Sequence, residues 1–399
     1  MEEKIPLAQY LFRRLYQAGV RAVHGVPGDY SIYADMTVRI TAARENLIDE
    51  ATATAQIDHA LRECVLQSRP VYIQLPIDLG NAGTSRYGAV VEANELARRM
   101  GIVTCTMFFG KSIINETLPN FHVVYATAGP RVISSWVNQC DLTLYVGPRV
   151  SNINTYGFTT IPRTETAISF DRDSVMICGT TKYNVPLKAL LRAMLDRLDA
   201  VQLPTDTPWS VVPNPRQDLA ALPPAEPAHV LSHDIFWRRM SHFFRPGDIV
   251  MTETGTSSTG RREFVLLDNT QLINSSIWLS IGFMLPAAQG TSLAQRRGKT
   301  NGRTILFEGD GSSQVTAQEL STAIRKRLDL IVFLINKNGY TIERLIHGRD
   351  AEYNDIAVWR YLESPSCFGA PVNGSYNVQT ARVANWGELH ALLEDKAFH

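Results

Sequence analysis

The chain has 399 residues, and its 39 lysines and arginines balance its 39 aspartates and glutamates, so the formal net charge is zero. This balance excludes a protein that binds nucleic acid chiefly through excess positive charge. Hydrophobic residues make up 45% of the sequence and charged residues 20%, which is typical of a globular protein rather than a disordered or fibrous one.

The compartment is predicted from cysteines and apolar runs. The five cysteines are scattered and form no C-x-x-C pair, which predicts reduced thiols without a zinc site or a disulfide framework. The longest apolar runs have the length of a strand, so we expect no membrane span. The first residues show no basic segment that leads into an apolar one, so we expect no signal peptide. These features predict a cytoplasmic protein.

Alternating helix and strand patterns predict three α/β blocks. In the first, residues 1–80, a helix carries an apolar face, and a strand at 71–75 follows it. The residues of that face are Ile57, Ala60, Leu61, Cys64 and Val65. Only two short βα units fit in this block, which is little for an independent domain.

The second block, residues 81–200, repeats the pattern. Its predicted elements are helices at 92–100 and 186–198 and strands at 102–107, 142–146 and 168–170. The next stretch, 201–228, contains seven prolines and little periodicity, which predicts an extended linker. The third block, 229–399, is the longest.

One segment of the third block, 303–338, reads as a strand–turn–helix–strand unit. Strands are predicted at 304–307 and 330–335, and one helix between them presents a single apolar side. That side consists of Val315, Leu320, Ile324 and Leu328. Ligands of parallel sheets bind beyond the carboxyl ends of the strands, where Asp310 and the cluster 336–339 fall. A carboxylate beside a helix N-terminus fits a divalent cation that bridges it to a phosphate, although a Gly-Asp-Gly turn taken alone is more often only a turn.

Longer motifs surround this turn. GDGS at 309–312 is followed by GYTIE at 339–343, and ETGTS at 253–257 and WLSIGF at 278–283 precede it. The N-terminal part contains GVPGDY at 25–30. With their spacing, these motifs resemble those of the thiamine diphosphate-dependent 2-oxo acid decarboxylases, most closely the fungal type of pyruvate decarboxylase. The resemblance covers all three blocks.

The resemblance implies an α/β fold of three doubly wound parallel-sheet domains. These would be a truncated pyrimidine-binding domain at 1–80, a shortened central domain at 81–200 and a diphosphate- and Mg²⁺-binding domain at 229–399, with a proline-rich linker at 201–228. It also implies a small 2-oxo acid as substrate and a homodimer or homotetramer, with neither nucleic acid nor membrane as a partner.

The resemblance further assigns roles to residues. Asp29 and Glu343 would transfer protons, and Asp310 and the carbonyl of Gly339 would hold Mg²⁺. The predicted contacts to thiamine diphosphate are Thr256, Ser280, Ile281, Gly311, Ser312, Tyr340 and Ile342. Thr256, Gly311 and Ser312 would bind the diphosphate, and Ile281 would support the bent cofactor from below.

The chain also departs from the family pattern. A glutamate that activates the cofactor and a His-His pair are expected after Asp29, and neither occurs, so dozens of residues are inferred to be absent. Lys337 stands where the family has an asparagine that binds the metal, although Asn336 and Asn338 flank it. Leu279 replaces a glycine that approaches the cofactor.

Three interpretations stay open. The first is a decarboxylase that converts pyruvate or a similar 2-oxo acid to an aldehyde and CO₂. The second is a non-catalytic relative that binds the cofactor weakly or pairs with a full-length subunit. The third is a carboligating synthase of the same superfamily, which the GYTIE motif disfavours.

Overall fold

A computed structural model describes residues 42–46, 50–67, 72–74, 84, 87–125, 131–198, 212–275 and 279–395. The chain forms two compact units, Met1–Leu79 and Gly80–His399. In the first, strand β1 (Arg44–Asn46) pairs in parallel with β2 (Tyr72–Gln74), and helix α1 (Glu50–Gln67) connects them. Ile57 and Ala60 are fully buried, as the predicted apolar face of this helix requires.

The central region of the second unit contains two small sheets. Its elements are α2 (Val90–Met100), β3 (Thr104–Met107), β4 (Phe121–Tyr125), α3 (Arg131–Gln139), β5 (Thr143–Val146), β6 (Ala167–Phe170), β7 (Ser174–Ile177), β8 (Thr180–Tyr183) and α4 (Leu187–Leu198). Strands β3 and β4 pair in parallel, and so do β5 and β6. The β6–β7 and β7–β8 pairs are antiparallel. Leu187 and Leu191 of α4 and Leu96 of α2 belong to the aliphatic core of this region.

The proline-rich stretch is not extended throughout. Helix α5 (Pro215–Ala220) begins after Asn214, whose Oδ1 accepts hydrogen bonds from the N–H groups of Arg216 and Gln217. Proline at the first position of a helix removes no hydrogen bond, which is why it is tolerated there. The Arg216 side chain also donates to two carbonyls of the central region. The expectation of an extended conformation is therefore wrong for these residues.

The C-terminal region is built on one sheet of four parallel strands in the order β10-β9-β11-β12. The elements are α6 (His233–Met240), β9 (Ile249–Thr252), α7 (Thr256–Gly260), β10 (Gln271–Asn274), α8 (Met284–Gly298), β11 (Thr304–Gly309), α9 (Asp310–Thr316), α10 (Glu319–Arg325), β12 (Leu330–Ile335), α11 (Thr341–His347), α12 (Ser364–Cys367) and α13 (Trp386–Glu394). Phe236, Trp237 and Phe307 lie in an aromatic core. Met251, Met284 and Leu306 lie in a second, non-aromatic core.

The single helix predicted after GDGS is wrong. The structure has two helices there, α9 and α10, and the predicted apolar side does not hold at its start because Val315 exposes 50% of its surface. The buried residues of α9 are Asp310 and the three small residues after it, whereas α10 buries Ala323 and Ile324. The strands on either side agree with the prediction within three residues.

Buried charges join the central and C-terminal regions. The Lys111 ammonium donates to both carboxylate oxygens of Glu116, at 2.9 and 3.0 Å, and to the Phe264 carbonyl at 2.8 Å. Glu116 in turn accepts a hydrogen bond from the N–H of Leu266. The side chains of Lys111 and Glu116 are each only 2% exposed. Nearby, the guanidinium of Arg261 lies 4.0 Å from the centre of the Phe108 ring.

Candidate functional site

The candidate residues of the C-terminal region follow the carboxyl ends of its strands. Since all four strands are parallel, their carboxyl ends lie at one edge of the sheet. Thr256 follows β9, Ser280 and Ile281 follow β10, and Asp310 follows β11 directly. The segment 339–343 follows β12. We call this edge the carboxyl edge.

Asp310 connects two of the loops at this edge. Asp310 is buried, with only 3% of its surface exposed. Oδ1 accepts a hydrogen bond from the N–H of Gly311 at 2.9 Å, and Oδ2 accepts two more, from Lys337 at 2.9 Å and Gly339 at 3.0 Å. Hydrogen bonds to a charged acceptor are stronger than neutral ones. One carboxylate thus fixes the β11 loop against the β12 loop.

Two glycines allow the backbone to lie very close to neighbouring groups where these loops meet. A Cβ atom on Gly311 would lie 2.7 Å from the Tyr340 ring, so this position has no room for a side chain. Gly339 has φ +126°, and a Cβ there would lie 2.3 Å from the Asn354 carbonyl oxygen. The Tyr340 hydroxyl donates to the Gly311 carbonyl at 3.4 Å. Burial, followed by the charge of Asp310, raises the pKa of Tyr340.

The loop before α8 has a constrained backbone. Leu279 has φ +48° and Gly282 has φ +80°, both in the left-handed region that favours glycine. Between them, the Ser280 carbonyl accepts a hydrogen bond from Thr254 Oγ1 at 3.3 Å. Ile281 is 41% exposed, so its side chain is accessible to a ligand. On the neighbouring loop, Gly255 has φ +107° and immediately precedes Thr256, the first residue of α7.

Ile342 and Glu343 lie in the first turn of α11, and both are partly buried. The Glu343 side chain is 42% exposed, and its carboxylate lies 3.4 Å from Nε2 of His347 one turn later. Asp29, the other predicted proton-transfer residue, lies outside the residues that the structure describes. The structure therefore brings Asp310, Gly311, Gly339 and Tyr340 into contact and places Glu343 on the adjoining helix.

The sequence interpretation missed two buried acids below the carboxyl edge. Glu253 and Glu308 are fully buried, and Glu308 has no hydrogen-bond partner on either carboxylate oxygen. Burial raises the pKa of Glu253 to about 7, although the N–H groups of Thr254 and Met284 donate to its carboxylate. Burial and the neighbouring Glu253 raise the pKa of Glu308 well above its ordinary value. The available signal was Glu308, a charged residue directly after the apolar strand predicted at 304–307.

Two oxygen donors are available to a metal here, the Asp310 carboxylate and the Gly339 carbonyl. The latter already accepts a hydrogen bond from the Thr341 N–H at 3.0 Å. Asn336 and Asn338 are exposed, and Oδ1 of Asn336 accepts from the N–H of Asn338 at 3.3 Å. Within the described residues, no three His, Cys, Asp or Glu side chains form a metal-binding group. Lys337 supplies an ammonium where the third oxygen donor is expected.

Comparison with known proteins identifies the two larger regions. The family described as "Thiamine pyrophosphate enzyme, central domain" matches residues 75–198. The family described as "Thiamine pyrophosphate enzyme, C-terminal TPP binding domain" matches residues 253–395. Thiamine pyrophosphate is another name for thiamine diphosphate, so the second match covers the whole carboxyl edge.

Curated relatives are fungal pyruvate decarboxylases. The chain is 35% identical to that of Aspergillus parasiticus, over 92% of this chain and 72% of the relative. It is 31% identical to isozyme 1 of Saccharomyces cerevisiae, over 93% and 73% respectively. With the pyruvate decarboxylase of Aspergillus terreus the identity is 28% over 510 residues, 93% of this chain and 88% of the relative. Because this chain has only 399 residues, that relative contains segments without a counterpart here.

These matches confirm the predicted family, its α/β fold with parallel sheets and thiamine diphosphate as its cofactor. No helix in the described part of the chain is both long and apolar enough to cross a membrane. The chain belongs to the thiamine diphosphate-dependent enzymes and, among them, to the pyruvate decarboxylase family of carboxy-lyases.

Proposed function

We propose that this chain binds thiamine diphosphate at the carboxyl edge and decarboxylates a 2-oxo acid, pyruvate or a close relative, to an aldehyde and CO₂. The observation that carries the proposal is the Asp310 carboxylate, which accepts N–H groups from both motif loops. GDGS and GYTIE are separated in the sequence, and this carboxylate joins them in one site. The names of the relatives supply the reaction class.

The carboxyl edge suits a diphosphate and the rings attached to it. Thr256, Gly311 and Ser312 would contact the diphosphate, and Ser280, Ile281, Tyr340 and Ile342 would contact the rest of the cofactor. Gly311 keeps the backbone open beside Tyr340, and Ile281 presents an exposed apolar side chain. Asp310 and the Gly339 carbonyl would be two donors for Mg²⁺, and Lys337 stands where the resemblance places a third. When bound, the cofactor supplies the carbon nucleophile and the electron acceptor for loss of CO₂.

Glu343 is our candidate for proton transfer to the product. Its carboxylate is accessible at the start of α11, and His347 lies on the same side of the helix at 3.4 Å. A positioned carboxyl group that transfers a proton contributes about 10²- to 10⁴-fold to rate. Asp29, which lies outside the described residues, is proposed for the same task only because the GVPGDY motif resembles that of the family.

The test is aldehyde release from pyruvate by the full chain with thiamine diphosphate and Mg²⁺, measured by coupled reduction of the aldehyde. We expect Glu343→Gln to lower kcat by about 100-fold. The matched control is Glu352→Gln, because Glu352 is exposed and lies outside the candidate residues. Equal rates for the two variants would remove Glu343 from the mechanism.

A second candidate function is a non-catalytic relative that binds the cofactor or pairs with a full-length subunit. The observation that favours it is the absence of the expected cofactor-activating glutamate and of a His-His pair. Cofactor binding without release of aldehyde from any 2-oxo acid would support this candidate over the first.

We also propose four further properties of the chain. They are the domain limits at 1–80, 81–200 and 229–399, the linker at 201–228, the cytoplasmic location and the homodimeric or homotetrameric state. Limited proteolysis tests the limits, since cleavage is expected in exposed linkers. Sedimentation of the purified chain tests the oligomeric state.

A further inference from the structure

Lys337 places a positive charge directly beside the Asp310 carboxylate. Its backbone N–H and that of Gly339 donate to the same oxygen, Oδ2 of Asp310, at 2.9 and 3.0 Å. The Lys337 side chain starts from this point and is partly buried rather than fully exposed to solvent. The loop that offers oxygen donors to a metal therefore carries a cation of its own.

Two neighbouring groups feel the charge of Lys337. The first is Asp310, whose carboxylate accepts the Lys337 N–H and whose charge acts on the ammonium. The pKa of His233 is lowered by burial and also by the charge of Lys337. His233 begins α6, where its Nδ1 accepts a hydrogen bond from Trp237 at 3.1 Å, and the Trp237 ring packs against Gly260 of α7. The ammonium is thus within electrostatic range of Asp310 and of the α6 residues that support α7.

The Lys337 ammonium, on a partly buried residue, has no carboxylate within ion-pair distance in the described part of the chain. The flanking Asn336 and Asn338 are exposed and do not take its place as donors beside Asp310. The expected third metal ligand is therefore replaced by a cation that forms no ion pair within the described residues.

We infer that the Lys337 ammonium binds the diphosphate of thiamine diphosphate directly and replaces much of the charge neutralisation that Mg²⁺ supplies, so that this chain binds the cofactor without a divalent cation. The inference rests on the proposed function, because it requires the cofactor at the carboxyl edge. Lysine binds phosphate as a compact point charge. A divalent cation placed next to the same ammonium would be repelled by it.

The test is calorimetric titration of the full chain with thiamine diphosphate, once in excess Mg²⁺ and once in excess chelator. We expect the two dissociation constants to agree within about threefold, since threefold is well below one full charge-assisted hydrogen bond. Thiamine, which lacks the diphosphate, is the ligand control and should bind more weakly in both buffers. Binding that requires Mg²⁺ by more than about tenfold would overturn the inference.

Three variants sharpen the result. Lys337→Met removes the charge and should weaken binding in chelator by about tenfold or more. Lys337→Arg keeps the charge and should restore most of that affinity. Lys337→Asn supplies an oxygen donor and should make binding dependent on Mg²⁺. The matched control is Lys326→Met, because Lys326 is exposed and precedes the opposite end of β12.

The outcomes separate this inference from the proposed function. Metal-independent binding without turnover supports the inference and contradicts the decarboxylase. Turnover together with cofactor binding that strictly requires Mg²⁺ supports the decarboxylase and contradicts the inference. Absence of binding in both buffers overturns both. If a variant fails to fold, the comparison of the two buffers with the unaltered chain still decides.

Discussion

The central and C-terminal regions both combine helices with sheets, but they distribute their loops differently. In the central sheet β5-β6-β7-β8 only one pair of strands is parallel, so loops leave it at both edges. In the C-terminal sheet every pair is parallel, so the loops after all four strands meet at the carboxyl edge. Every candidate site residue that the structure describes follows one of these four strands.

The cores of the two regions also differ, in the kind of side chain that they pack. The central region packs mainly aliphatic side chains such as Leu187 and Leu191. The C-terminal region places aromatic rings beneath the site, and Phe307 stacks on Phe333 with ring centres 5.0 Å apart. Since Phe307 lies three residues before Asp310, packing in the aromatic core helps fix the strand from which Asp310 projects. We infer that the parallel sheet on this core brings the candidate site residues together. The central region packs against the C-terminal region that carries them.

The largest expected effect concerns the buried Lys111–Glu116 pair, the joint between the central and C-terminal regions. Glu116→Ala leaves the buried Lys111 ammonium without its carboxylate, which should lower the free energy of unfolding by about 3 to 5 kcal/mol. Chemical denaturation of the full chain measures it. The control is Glu165→Ala, an exposed glutamate of the central region. Equal stability of the two variants would mean that the buried pair does not join the regions.

Asp310→Ala tests the carboxyl edge itself. It leaves three N–H groups without their acceptor, and we expect a loss of about 3 kcal/mol in stability together with loss of cofactor binding. Asp329→Ala is the control, because Asp329 is exposed just before the other end of β12. Unchanged cofactor affinity in Asp310→Ala would show that the cofactor binds elsewhere.

Glu308→Leu should stabilise the C-terminal region. The variant removes a buried carboxyl without a hydrogen-bond partner, which we expect to add about 1 to 3 kcal/mol at pH 8. The measurement is the free energy of unfolding at pH 5 and pH 8.

The pH dependence has a definite sign. The pKa of Glu308 is raised in the folded chain, so the folded state holds the proton more tightly than the unfolded state does. Its contribution is therefore most favourable below the ordinary pKa and is lost as the pH rises through the raised value. Glu253, with a pKa of about 7, acts in the same direction. Stabilisation by Glu308→Leu should be small at pH 5, and an equal gain at both pH values would contradict this explanation.

The smallest effect is expected at Leu279. Its φ of +48° is unfavourable for a residue with a Cβ atom. Leu279→Gly should therefore raise the free energy of unfolding by about 1 kcal/mol. Leu267→Gly, at a position outside the left-handed region, should instead destabilise the chain. Destabilisation by both variants would show that packing of the Leu279 side chain outweighs its backbone strain.

The sequence predicted the parallel unit of β11 and β12 because continuous apolar strands and a glycine turn are local signals. It also placed Asp310 and Gly339 at the same edge, since that follows from parallel pairing. It missed the Lys111–Glu116 joint because the carbonyl that completes it, on Phe264, is 153 residues from Lys111. It missed the approach of Glu308 to Glu253 for the same reason, since only the folded sheet brings these acids together.

The break between α9 and α10 was missed for another reason. An apolar period from Val315 to Leu328 is compatible with one helix, but the side of α9 that is buried carries Asp310 and small residues instead. The apolar period therefore failed to predict the break, because the buried side of α9 belongs to the GDGS turn.

The central claim is that the carboxyl edge binds thiamine diphosphate. The most direct test is calorimetric titration of the full chain with this cofactor in excess Mg²⁺, in parallel with Asp310→Ala. Our account predicts saturable binding of one cofactor per chain and its loss in the variant. Binding of equal strength to both proteins, or to neither, would contradict it.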